Sequence, residues 1–142
     1  MPRVRMVSEA IVSHDPAGSL RDIDIARTAL VSADLALPSQ QGRKVARVVA
    51  DVPGRLEVDV ETDERALLVT TESFHRGWRA TSPTARLETA RVYGDLLGAV
   101  VGPGQYRLTL QFDAWSSRVG IVVSLAAIGF LGLLAFVVGR PE

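Results

Sequence analysis

Cysteine is absent from the 142-residue chain, so no disulfide and no thiolate metal site can form. That absence does not by itself choose a compartment. Histidine occurs only as His14 and His75, which have neither the spacing nor the companions of a metal centre. Neither charge is in excess: 16 basic residues balance 16 acidic ones. Arginines and acids are interleaved along residues 1–118 with no basic stripe, so nucleic acid is not expected as a partner. The start, Met1-Pro2-Arg3-Val4-Arg5, is basic, but no apolar run follows and it does not read as a signal peptide. There is no G-x-S-x-G, no phosphate-binding loop, no repeat and no low-complexity tract. Gly102-Pro103-Gly104 is too short to cradle a phosphate. No nucleophile–base pairing is legible, and no cofactor is expected.

Apolar residues make up 47% of the chain and are unevenly spread. Val119–Val138 carries no charge, and Ser124 is its one conventional polar side chain. As a helix this stretch would reach about 30 Å, the thickness of a bilayer's hydrocarbon core. A buried core helix would normally keep a polar face. The sequence therefore predicts a β domain over residues 1–115 and a C-terminal segment over 116–142 whose helix 119–138 crosses the lipid bilayer. Gly120 and Ser124 form a small-xxx-small pair suited to packing against other membrane helices. Arg118 and Arg140 flank the helix symmetrically, so the positive-inside rule does not orient it. A lone C-terminal anchor would leave the domain cytoplasmic. An extracytoplasmic domain requires earlier helices elsewhere.

Before the helix, strands dominate. Leu56, Val58 and Val60 alternate with Glu57, Asp59 and Glu61, and Tyr106, Leu108, Leu110 and Phe112 alternate with Gln105, Arg107, Thr109 and Gln111. Such alternation indicates antiparallel strands with one buried and one wet face. Ala66–Glu72 is more continuously apolar and reads as a central strand. Pro53-Gly54 predicts a hairpin between Lys44–Val52 and Arg55–Thr62. Gly102-Pro103-Gly104 predicts another between Leu96–Val101 and Gln105–Phe112. Ser82-Pro83-Thr84 divides Trp78–Thr81 from Ala85–Val92. Arg3–Val12 and Thr28–Val31 read as further strands, and Ala36–Gly42 as a polar loop. One short helix is expected, capped by Asp15, with Pro16 at its first position and Leu20 packed inward. Eight or so short strands at this spacing predict a mainly β fold, an antiparallel β-sandwich.

Two features bear on chemistry. Glu57, Asp59 and Glu61 point one way in a strand and read as a solvated face rather than a calcium or catalytic cluster. Glu72–Ala80 gathers Phe74, His75, Arg76, Trp78 and Arg79 around Gly77. Such a set at a strand end can stack on a sugar ring or bond a phosphate. Alternatively, Trp78 plugs the end of the sandwich while Gly77 takes a positive φ.

The string Leu67–Ala80, ending Gly77-Trp78-Arg79-Ala80, resembles the C-terminal region of the bacterial YfhO family of membrane proteins. Arg91–Val101 is similar to that family's next strand pair, and Pro103-Gly104-Gln105-Tyr106-Arg107-Leu108 to its following turn. Upstream, Ala46–Val49 and Pro53–Val58 also fit. Arg76 stands where that family usually has proline, His75 where a second aromatic is common, and Ser82-Pro83-Thr84 replaces its Asp-Gly turn. The resemblance implies a multi-pass glycosyltransferase using lipid-linked sugars, of which this chain corresponds to a non-catalytic, extracytoplasmic tail in the bacterial cell membrane. Expected partners are then the bilayer, a multi-pass glycosyltransferase subunit and carbohydrate. A stand-alone anchored sandwich that binds carbohydrate or an envelope protein, and a tail-anchored cytoplasmic interaction domain, remain open.

Overall fold

A computed structural model describes residues 2–113 except 8, 22 and 38–41, together with Ser124, Leu125, Ala127 and Ile128. The chain divides into two compact units, Met1–Phe112 and Asp113–Glu142. In the second unit Ser124, Leu125, Ala127 and Ile128 are helical and exposed. The rest of the predicted span 119–138, Gly120 included, lies outside the described residues. Among those described, no helix is long and apolar enough to cross a membrane.

The first unit is built from β1 (Val4–Val7), β2 (Glu9–Val12), β3 (Thr28–Val31), β4 (Lys44–Val52), β5 (Arg55–Thr62), β6 (Ala66–Ser73), β7 (Trp78–Thr81), β8 (Arg86–Leu87), β9 (Thr89–Val92), β10 (Leu96–Val101) and β11 (Gly104–Phe112), with one helical turn, α1 (Pro16–Ser19). The strands form a six-stranded sheet in the order β1-β6-β10-β9-β3-β2 and a five-stranded sheet in the order β4-β5-β11-β7-β8. Leu56, Val58, Val60, Trp78, Leu108 and Leu110 of the second sheet pack against Leu68, Leu97, Ala99 and Val101 of the first, giving the sandwich core. Each such leucine or valine contributes roughly 1.5–3 kcal/mol by leaving water.

The predicted hairpin at Pro53-Gly54 is present, with Val52 opposite Arg55. Gly54 has φ +76°, a backbone that suits glycine after a φ-locked proline. The central strand β6 is buried on both faces, as its continuous apolar run predicts: Leu68 meets the sandwich core, while Leu67 and Val69 join a second cluster with Val7, Val31, Val92 and Val100. That cluster exists because the six-stranded sheet curls. Val7 and Glu9 lie two residues apart, hence within about 7 Å, yet β1 and β2 end opposite edges of the strand order. The predicted single strand Arg3–Val12 is thus two strands. The β2–β3 pair is also parallel, so the sandwich is not purely antiparallel.

Three further expectations need correction. Gly102-Pro103-Gly104 does not make a hairpin: β10 bonds to β6 and β9, whereas β11 bonds to β5 and β7. Val101 and Leu108 face one another's sheets across the core, so the turn arches between sheets. The Tyr106 hydroxyl closes it, accepting from Gly102 N at 3.1 Å and donating to Gly102 O at 3.2 Å. Ala85–Val92 likewise splits at Glu88, with β8 in one sheet and β9 in the other. Finally, Asp15 caps α1 through Gly18 N, but Leu20 is 38% exposed, because a single turn has no face long enough to bury.

Gly98 marks the closest approach in the curled sheet. A Cβ there would lie 2.6 Å from Val92 Cγ2 and 3.1 Å from Leu67 Cδ1. Arg3 ties the two sheets at one edge. Its guanidinium donates to Asp51 on β4 at 2.7 and 2.9 Å, to Thr71 at 2.6 Å and to Glu72 on β6. Hydrogen bonding to Arg3 pulls the Asp51 carboxyl below its ordinary value of 3.8.

Candidate functional site

Residues 74–77 carry the chain from β6 in one sheet to β7 in the other, across one end of the sandwich. Phe74 N donates to Asp95 O at 2.6 Å, and Trp78 N to His75 O at 3.0 Å. His75 Nδ1 accepts from Gly77 N at 2.9 Å, so the imidazole closes its own turn. Its ring also meets the Phe112 ring edge-on at 5.3 Å, and Trp78 tilts against the other side of that cluster at 5.5 Å. Trp78 is 7% exposed.

These contacts divide the predicted set. Trp78 belongs to the core and plugs the sandwich end. His75 caps the loop. Gly77 is not among the glycines with positive φ, which are Gly54, Gly94 and Gly104, so the tight turn owes its shape to the histidine cap instead. Arg79 is exposed on β7 opposite Gln111, on the outer face of the five-stranded sheet. Phe74 and Arg76 alone are brought together, in a groove of about 460 Å3 on the six-stranded side. Such a volume suits a small ligand or one or two sugar rings.

The rest of the wall comes from Ser32, Ala33 and Leu35 in the loop after β3 and from Thr89, Ala90 and Arg91 on β9. The Arg91 guanidinium lies 5.1 Å from the centroid of the Phe74 ring, a cation–π contact that restrains the arginine. Glu88 lies at the rim and is engaged by Arg65 at 3.6 Å. Arg91 sat inside a predicted strand, where an outward arginine is indistinguishable from any solvated charge. Ser32 and Leu35 carry no local signal at all, since only the curl of the sheet brings their loop to Phe74.

A second, smaller depression of about 290 Å3 lies on the outer face of the five-stranded sheet, lined by Arg43, Arg47, Asp59, Glu61 and Gln105. Both of its acids are paired, and Arg47 adds a coulombic interaction with Asp59. Arg107 donates to Asp59 at 2.8 Å and Arg43 meets Glu61 at 3.4 Å. The hydrogen bond from Arg107 holds the Asp59 carboxyl below its ordinary range. Glu57, Asp59 and Glu61 are thus a salt-bridged wet face, and among the described residues no group of three or more His, Cys, Asp or Glu could hold a metal ion.

On the far side of the curled sheet, Arg5 donates to the Tyr93 hydroxyl at 2.6 Å and lies over its ring at 5.1 Å. Tyr93 in turn donates to Thr28 O at 2.6 Å, and burial pushes its phenol above 10. This pair anchors the β9–β10 turn to β1 and β3.

No family model and no curated protein matches the chain. Solved structures do. The cryo-EM structure of the arabinofuranosyltransferase AftD from Mycobacteria aligns at 31% identity with a TM-score of 0.53, over 69% of this chain and 8% of that one. A mutant form of the same enzyme aligns at 32% identity with a TM-score of 0.52, over the same shares. The chain therefore spans less than a tenth of the enzyme it matches. The likeness supports a glycosyltransferase-related region; it does not support YfhO specifically.

Proposed function

We propose that this chain is a non-catalytic accessory domain of a cell-envelope glycosyltransferase system, which holds a glycan in the Phe74–Arg76–Arg91 groove while transfer occurs elsewhere. The single observation that carries the reading is the 31% identity to part of an arabinofuranosyltransferase over 69% of the chain. The groove adds a chemical basis. Leu35 and the edge of Phe74 offer apolar surface to a sugar's C–H face, while Ser32, Arg76 and Arg91 offer hydrogen-bond donors to its hydroxyls. In this reading residues 119–138 anchor the domain in the bacterial membrane on the extracytoplasmic side, and Gly120 and Ser124 pack against helices of a multi-pass partner.

Deletion and complementation in the bacterium that makes the chain test this. Removing it should change the sugar composition of the envelope glycan. The full chain should restore that composition, whereas a Phe74→Ala, Arg76→Ala double variant, present at the same level, should not. An envelope glycan unchanged on deletion would sink the proposal. Because the groove lies wholly within this chain, a stand-alone carbohydrate-binding sandwich is the second reading. It predicts glycan binding by the chain with no change in envelope composition on deletion.

A further inference from the structure

We infer that the groove selects saccharides carrying an anionic substituent, a phosphoryl or carboxylate group, and that Arg76 and Arg91 receive it. The inference rests on the reading of the groove as a glycan site and adds the class of glycan.

The argument is one of unmatched charge. Several described arginines are neutralised by their neighbours: Arg3 by Asp51 and Glu72, Arg43 by Glu61, Arg55 by Glu57, Arg65 by Glu88, and Arg107 by Asp59. Arg76 and Arg91 have no carboxylate within ion-pair distance among the described residues, although both line one groove. The groove's own acid, Glu88, is turned to Arg65. Two guanidinium groups beside an apolar wall therefore leave positive potential inside a concave surface, where low-dielectric walls concentrate it. A guanidinium presents paired N–H donors that match the two oxygens of a carboxylate or phosphate.

Arg91 is also partly preorganised. Its contact with the Phe74 ring removes rotamer freedom before any ligand arrives, so less entropy is lost on binding. The same contact occupies ring surface that a neutral sugar would use for stacking. Phe74 thus supports the arginine as much as the sugar, and the discriminating interaction becomes charge. The depression on the outer face of the five-stranded sheet differs, because its arginines sit beside acids: Arg43 meets Glu61, while Asp59 takes a hydrogen bond from Arg107 and also feels the charge of Arg47.

The test is titration of the full chain in lipid nanodiscs with glucose, glucose 1-phosphate, glucuronate, inorganic phosphate and a neutral arabino-oligosaccharide. Glucose 1-phosphate or glucuronate should bind at least tenfold more tightly than glucose, and the advantage should shrink as salt is raised from low to physiological strength. Which of the two binds identifies the source of the anion. Arg76→Gln and Arg91→Gln should each remove most of the advantage while leaving the thermal midpoint unchanged. If the neutral arabino-oligosaccharide binds as well as the anionic sugars, this inference is overturned and the accessory role stands. If inorganic phosphate binds as tightly as glucose 1-phosphate, the site is not a saccharide site. If anionic sugars bind but deletion leaves the envelope unchanged, the inference stands and the accessory role fails.

Discussion

The guanidinium of Arg91 lies 5.1 Å from the centre of the Phe74 ring, joining a β9 side chain to the loop that follows β6. Neither residue is deeply buried. Their contact shapes the wall of the groove, while Phe74 also packs against the rim of the sandwich core. Phe74→Leu keeps apolar volume but removes the π face. It should leave the fold intact and weaken glycan binding several-fold, as measured by titration of the full chain in nanodiscs. Unchanged binding would show that the ring has no part in the site.

Trp78 should behave in the opposite way. It is buried among Leu108, Leu110 and Phe112, so Trp78→Ala leaves a large void and should cost about 3–5 kcal/mol. Chemical denaturation of the full chain in detergent reads this directly. A variant as stable as the parent would contradict the assignment of Trp78 to the core.

Gly98→Ala should destabilise by about 1–3 kcal/mol, because its new methyl would meet the stiff Val92 side chain. Val92→Ala in the same background should return part of the loss. Gly102→Ala is the control, since nothing lies within 4 Å of a Cβ there.

Acid should loosen the β domain. Hydrogen bonds from Arg3, Arg107 and Lys44 draw Asp51, Asp59 and Glu64 below their ordinary values of 3.8, 3.8 and 4.5. A lowered native pKa means that the unfolded chain binds protons first. The stability from these groups is therefore complete above the ordinary carboxylate range and is lost as pH falls below about 4. Asp51 and Asp59 are exposed, so their share should be modest and should weaken with salt, whereas the Lys44–Glu64 pair is largely covered and should be screened less. Denaturation midpoints should fall between pH 6 and pH 3, and less steeply in Glu64→Gln.

Sidedness is open to protease. Trypsin added to spheroplasts should cleave at exposed arginines such as Arg47 and Arg86. Full protection, relieved only by detergent, would contradict the extracytoplasmic placement.

Local pattern carried much of the fold. The alternation in Arg55–Thr62 and Gln105–Phe112 identified β5 and β11 with their buried faces, and Pro53-Gly54 identified β4 as the hairpin partner of β5. What local pattern does not carry is which sheet receives the next strand. Gly102-Pro103-Gly104 reports a reversal, but a hairpin and an arch need the same residue types. Only the shared burial of Val101 and Leu108 from opposite sides decides. The candidate site was half legible for a similar reason. Glu72–Ala80 looked like one cluster, yet it crosses from sheet to sheet. Trp78 and Ala80 turn inward while Phe74 and Arg76 turn to a groove completed by distant Arg91 and Ser32.

The most direct test of the central claim is a residue-resolved map of glycan contact. Backbone amide shifts of the full chain in nanodiscs, titrated with arabino-oligosaccharide and with glucose 1-phosphate, should move at Ser32, Phe74, Arg76 and Arg91. They should stay still at Arg47, Asp59 and Gln105. Shifts confined to the five-stranded face, or none at saturating sugar, would contradict the account.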